Sequence, residues 1–243
     1  MAVTPDGWLS WAERDPGPPD KKYTEPCLSA GYVPHSAVGY YGGWRSRLDS
    51  TDRLPNGRYT DYAAASVTGW IAYDGTVIQQ YPFTVSCWAS GNRHANTSFN
   101  AFENEGGFDP TDEPLTTQQV RANVRIIQEL SAWKGWTPQR MVTLLEHNEC
   151  VALWGGGATS CPSNRIPWAT ILAALNTTPQ EDDDMAAIIR KPGTPENYLV
   201  RGKTLEFLPS KQVRLDIAEA YGIDPAPTIV TVETWDWLGQ QAG

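Results

Sequence analysis

Histidine is scarce in this chain: His35, His94 and His147 are the only three among 243 residues. The set contains no His-Glu-x-x-His segment, which disfavours the zinc peptidases that carry both imidazoles on one helix. Cysteine is scarce as well. Cys27, Cys87, Cys150 and Cys161 form no Cys-x-x-Cys pair, a usage that fits free thiols in a cytoplasmically made protein and not a disulfide scaffold. Long apolar runs are missing, so nothing in the sequence is suited to membrane insertion, and the start Met1-Ala2-Val3-Thr4-Pro5-Asp6 has neither the basic nor the apolar region of a secretion signal. A long basic block is missing too. With a net charge of −9, the chain lacks the clustered positive surface that a nucleic-acid partner calls for. Any work outside the cytoplasm would depend on a separate factor for release.

What is present suits a globular protein with an adequate core: 40% of residues are hydrophobic. The pattern is mixed α and β. Residues 67–73 and 76–81 read as strands flanking Asp74-Gly75, a two-residue hairpin signal. Val120, Val124, Ile127 and Leu130 recur at helical spacing after Thr116-Thr117, which can cap the start, and Gly135 and Pro138 close the segment. A shorter helix is expected over 167–175, with Pro167 in its tolerated first turn and the segment placed to brace Cys161. The polar, acidic residues 177–184 read as a linker between a domain over 1–176 and a tail over 185–243. In the tail, strands are expected at 186–189, 198–200, 205–208 and 228–232 and a helix at 211–221, giving a small α+β module.

Two regions supply metal-type donors. Tyr32-Val33-Pro34-His35-Ser36-Ala37 lies early, and Glu146-His147-Asn148-Glu149-Cys150 with Thr159-Ser160-Cys161-Pro162 lies late. Three protein ligands from separated stretches, leaving a position for water, is the layout of a catalytic zinc site, and two imidazoles with one thiolate satisfy it. His35, His147 and Cys161 form that set. The competing reading adds Cys150 and closes a four-ligand structural site. Pro34 withholds a backbone donor, which places the His35 strand at a sheet edge or at a bulge.

The sequence around these donors makes the case specific. From about Trp8 to Leu175 the chain resembles the zinc-dependent N-acetylmuramoyl-L-alanine amidases, the family shared by phage endolysins, bacterial recycling amidases and animal peptidoglycan recognition proteins. The resemblance is carried in order by Gly7-Trp8-Leu9 with Asp15-Pro16-Gly17-Pro18, by His35-Ser36, by Tyr73-Asp74-Gly75-Thr76-Val77, by Cys87-Trp88-Ala89-Ser90-Gly91, by Phe102-Glu103-Asn104-Glu105-Gly106, and by His147 through Cys161-Pro162. The opening and the Cys87 run look most like endolysins of phages that infect actinobacteria.

This resemblance implies an α/β fold, a mixed central sheet flanked by helices. It implies a zinc-activated water, whose pKa such sites can lower to roughly 7, and a carboxylate that passes a proton from that water to the leaving L-alanine nitrogen. Glu103 matches that carboxylate; strand alternation puts Glu105 on the same face as a substitute. Many relatives carry an oxyanion-donating lysine where this chain has Thr159, a weaker neutral donor. Val67 and Ala89 also depart from the tyrosine and histidine of some relatives. Trp88, His94 and Asn96 are the candidate substrate contacts. The implied partner is bacterial peptidoglycan and the implied role is host-cell lysis. The alternatives are a muropeptide-binding protein of the same fold that does not cut, and a zinc peptidase of the wall stem peptide. The tail would then serve wall binding.

Overall fold

A turn sets the register of the sheet that carries the site. The computed structural model describes residues 2–107 and 113–176, together with four strands beyond them at 186–190, 197–201, 204–208 and 228–229. Strands β4 (Gly69–Ile71) and β5 (Val77–Gln79) pair antiparallel, with Ile71 opposite Val77. Ala72 N–H donates to the Thr76 carbonyl at 2.9 Å and Gly75 N–H to the Ala72 carbonyl at 3.0 Å. The connection is therefore a three-residue loop over 73–75, one residue longer than the two-residue turn expected from Asp74-Gly75. Gly75 holds φ +84°, the left-handed conformation that ends such a loop and that glycine adopts without steric cost. Asp74 Oδ1 accepts from Thr76 N–H at 2.9 Å.

Around this hairpin lie β1 (Glu13–Arg14), β3 (Gly31–Ser36) and β7 (Phe99–Asn104), in the order β1-β5-β4-β7-β3. Only β4 and β5 run antiparallel; the other pairings are parallel. β7 lies between β4 and β3 and reads Phe-Asn-Ala-Phe-Glu-Asn, with all but Glu103 buried. That is the pattern of a strand covered on both faces. β3 lies at the sheet edge, as Pro34 requires, and pairs with β7 without a bulge. Its outer side is nonetheless covered, because Tyr32 N–H donates to the Thr143 carbonyl at 2.8 Å and Leu145 N–H to the Tyr32 carbonyl at 3.2 Å. A second small sheet pairs β2 (Lys22–Pro26) with β6 (Val85–Cys87).

Among the described residues, five helices accompany the sheets: α1 (Tyr41–Asp49), α2 (Arg93–Ser98), α3 (Thr117–Lys134), α4 (His147–Trp154) and α5 (Trp168–Asn176). α3 starts at a capping box between Thr116 and Gln119 and stops at Gly135 with φ 75°. Its buried face holds Ala122, Ile126, Ile127 and Leu130, but also Gln119 and Asn123. Val120 and Val124, expected on that face, lie at its margin and are only partly buried. Ile126, Ile127 and Leu130 pack with Leu9, Tyr32, Ile71, Phe83, Phe102 and, from α5, Ile171 in the main core. Burial of each such side chain stabilises by about 1.5–3 kcal/mol, a margin against which polar side chains can be carried inward when hydrogen-bonded. All four cysteines are free. No helix among the described residues is long and apolar enough to cross a membrane.

Contacts divide the chain into two compact units, Met1–Asn176 and Thr177–Gly243. In the second, β8 (Ala186–Arg190), β9 (Asn197–Arg201), β10 (Thr204–Leu208) and β11 (Thr228–Ile229) form one sheet ordered β10-β9-β8-β11. β8, β9 and β10 form an antiparallel meander, and β11 joins β8 in parallel. The helix expected at 211–221, the linker at 177–184 and residues 230–232 of the last expected strand lie outside the described residues.

Candidate metal centre

Parallel pairing of β3 with β7 sets His35 opposite Glu103, at the carboxyl end of the sheet where ligand sites of open α/β sheets form. His147 opens α4. The N-terminus of this helix is fixed by Glu149, whose carboxylate accepts from Glu146 N–H at 2.7 Å and from Arg140 at 2.5 and 2.9 Å. Cys161 sits in the turn that follows, held by two neighbours: Asn148 N–H donates to its carbonyl at 3.0 Å, and Ser36 N–H donates to its Sγ at 3.3 Å. One donor atom from each of His35, His147 and Cys161 lies within 4.8 Å of the others, and this is the one such group of three among the described residues. The two imidazole centroids are 4.7 Å apart, and Cys161 Sγ is 3.6 Å from His35 Nδ1.

Burial drives each group toward its uncharged form. His35 is held well below the usual histidine range by burial and by the neighbouring His147. His147 is lowered by burial, with a hydrogen bond to the Ser90 backbone opposing. Burial pushes the Cys161 thiol up, and Glu103 adds to the rise. It also pushes the Glu103 carboxyl up to about 7, with Arg47 and Arg165 opposing. Glu103 is 12% exposed, its Oε1 lies 3.9 Å from His35 Nδ1, and its Oε2 has no hydrogen-bond partner among the described residues. Two neutral imidazoles, a thiol and a carboxyl crowded together out of water constitute a place where a cation would reverse the balance.

A buried polar chain fixes the His35 strand from below. Tyr32 OH donates to Asn123 Oδ1 at 2.6 Å, Asn123 Nδ2 to Asn104 Oδ1 at 2.8 Å, and Asn104 Nδ2 to the His35 carbonyl at 3.1 Å. Arg165, 1% exposed, donates to Ser36 Oγ and to the Asn104 and Glu105 carbonyls. Neither device showed in the sequence, because a lone buried arginine or asparagine leaves no periodic signature.

Several expected roles change. Glu105 is not a second base. β7 ends at Asn104, so alternation lapses, and the Glu105 carboxylate accepts from Tyr41 N–H at 3.3 Å and Tyr73 N–H at 3.0 Å. Cys150 does not close a four-donor site. It is fully buried in an apolar cluster with Val33, Ala95, Phe99 and Leu145. Asn96, 4% exposed, uses its Oδ1 to accept from Ala89 N–H at 3.1 Å and Ser90 N–H at 2.7 Å. It therefore shapes the loop that brings Ser90 Oγ to 3.5 Å from His35 Nε2. His94 is exposed and rests against Trp154, with centroids 4.6 Å apart, and not at the donor cluster. Trp88 is partly exposed beside Tyr23 and Tyr59, at 6.4 and 5.9 Å between centroids. Thr159 Oγ1 accepts from Cys161 N–H at 3.1 Å.

Residues 33–164 match the family described as N-acetylmuramoyl-L-alanine amidase, a span of more than half the chain. Among solved structures, a selenomethionine AmpD derivative is similar at 22% identity and a TM-score of 0.51, covering 72% of this chain and 99% of its own. That likeness bears on the fold. The endolysin amidase LysCS from Clostridium intestinale aligns at 18% identity and a TM-score of 0.49, over 71% of this chain and 99% of its own. No curated protein sequence matches.

Proposed function

From the premise that this chain belongs to the N-acetylmuramoyl-L-alanine amidase family, we propose that it is a zinc-dependent peptidoglycan hydrolase cleaving the amide between N-acetylmuramic acid and L-alanine. The observation that carries the reading is the convergence of His35, His147 and Cys161 within 4.8 Å beside a largely buried carboxylate, one oxygen of which has no hydrogen-bond partner among the described residues. The donor chemistry fits zinc: two imidazoles kept neutral by burial and one thiol form a three-ligand set that leaves a coordination position open. When bound, zinc supplies a Lewis acid that polarises the scissile carbonyl and acidifies water near neutral pH.

The remaining roles fall to the chain itself. Glu103 Oε2 takes a proton from the attacking water and returns it to the leaving alanine nitrogen, and a carboxyl near pKa 7 can do both. Ser36 N–H stabilises the Cys161 thiolate. Thr159 Oγ1 accepts from Cys161 N–H, which leaves its own proton free to donate to the developing oxyanion. Trp88, flanked by Tyr23 and Tyr59, offers an apolar face to sugar or peptide beside the Ser90 loop.

The likeness of the sequence motifs to endolysins supports a role in lysing a bacterial host from within, with a separate membrane-permeabilising factor letting the protein out. The unit at Thr177–Gly243 would then hold the enzyme to the wall. Digestion of purified wall followed by mass spectrometry tests the reading. New amino groups on L-alanine are expected. New amino groups elsewhere in the stem would make the protein a peptidase, and no products would make it a binder.

A further inference from the structure

Arg165 is 1% exposed, and among the described residues its partners are carbonyls and a hydroxyl, with no carboxylate bound directly. Nε donates to the Glu113 carbonyl at 2.6 Å, Nη1 to Ser36 Oγ at 3.0 Å and the Asn104 carbonyl at 3.3 Å, and Nη2 to the Glu105 carbonyl at 2.9 Å. Its own N–H donates to the Pro162 carbonyl at 3.2 Å. The guanidinium thus ties the end of the His35 strand, the end of the Glu103 strand and the Glu113 backbone, while the backbone of the same residue closes the Cys161-Pro162 turn. The neighbouring backbone makes room for it. Gly107 has φ +78°, and a Cβ there would fall 2.2 Å from Ser36 Oγ and 2.8 Å from Arg165 Nη1.

Resting on the zinc-amidase reading above, we propose that Arg165 is a positioning residue that sets the His35, Glu103 and Cys161 segments at their working spacing before a metal arrives. A planar fork of five donors can bridge three segments at once, whereas a lysine ammonium acts from a single point.

The test compares Arg165→Met, Arg165→Lys and Gly107→Ala with the wild type and with Arg125→Met, a change on the exposed side of α3. Zinc affinity is measured by competition with a chromogenic chelator, site geometry by the visible spectrum of the cobalt-substituted protein, and kcat and KM on a soluble muropeptide. Arg165→Met should lose at least about tenfold in zinc affinity and in kcat, the scale of lost outer-shell support. KM should hold within about twofold and the cobalt bands should shift. Arg165→Lys should recover part of the loss, and Gly107→Ala should move the same readouts with the charge intact. Arg125→Met should match the wild type. If the variants melt earlier but keep wild-type zinc affinity, cobalt bands and kcat when folded, Arg165 is only structural and the proposal fails. Should Arg165→Met not fold, the other two variants decide. A wild type that neither binds zinc nor cleaves wall would sink the amidase reading itself, a result distinct from unaffected variants beside an active wild type.

Discussion

His35 and Glu103 stand in register on adjacent parallel strands, with Nδ1 and Oε1 3.9 Å apart. Backbone pairing, not a loop, therefore fixes the distance between a metal donor and the proposed base. Glu103→Ala should keep zinc and muropeptide affinity while turnover falls at least about a hundredfold, as expected for loss of a general base. Metal analysis and steady-state rates on the same preparation check this. Loss of zinc in the variant would reassign Glu103 as a ligand.

The metal requirement is checked directly. Purified protein should hold about one zinc per chain, chelation should abolish wall cleavage, and zinc should restore it. Cys161→Ala should lose tight zinc binding. Full turnover by metal-free protein would end the zinc mechanism.

Cys150 should behave as a core residue. It is fully buried, and burial pushes its thiol up to about 12. The group stays protonated through neutral and mildly alkaline pH, so iodoacetamide should leave it unmodified in native protein at pH 8 and modify it after unfolding. Cys150→Ala should lower the melting temperature but leave zinc content and turnover near wild type. A variant without zinc would revive the four-donor site.

The sequence exposed these features unevenly, for physical reasons. α3 was legible because Thr116 and Gly135 mark its ends and its apolar residues recur at helical spacing. α1 was not: it begins without a side-chain cap and carries Gly42 and Gly43 in its first turn. The three donors were recognisable from the motifs around them, but nothing local tells that Ser36 N–H meets Cys161 Sγ across 125 positions. Glu105 misled because alternation holds only while a strand lasts, and the amides that claim its carboxylate belong to Tyr41 and Tyr73. Asn123 faces the core through a partner, Tyr32, that apolar periodicity cannot reveal.

That buried chain gives a further expectation. Asn123→Ala would leave Tyr32 OH and Asn104 Oδ1 without their partner, and an orphaned buried polar group costs about 1–3 kcal/mol. Denaturant midpoints should fall accordingly, and kcat should fall as well because Asn104 Nδ2 holds the His35 carbonyl. An unchanged midpoint would mean that water or a neighbour replaces the amide.

A chain ending at Asn176 keeps the whole first unit. It should cleave small soluble muropeptides at about the intact rate, yet pellet poorly with purified wall and lyse it slowly, because a polymer substrate rewards a second weak attachment. Insolubility of the shortened chain, or loss of activity on the soluble substrate, would mean that the second unit completes the fold instead.

The covering of β3 by residues 143–145 has a consequence for how molecules meet one another. A bare strand at the rim of a sheet is a template on which another polypeptide can add itself. Here one rim is occupied by the protein's own backbone through Tyr32, Thr143 and Leu145, and the other is β1, only two residues long. Neither offers a long ladder to a neighbour. Both rims of this sheet are thereby guarded against strand-to-strand aggregation.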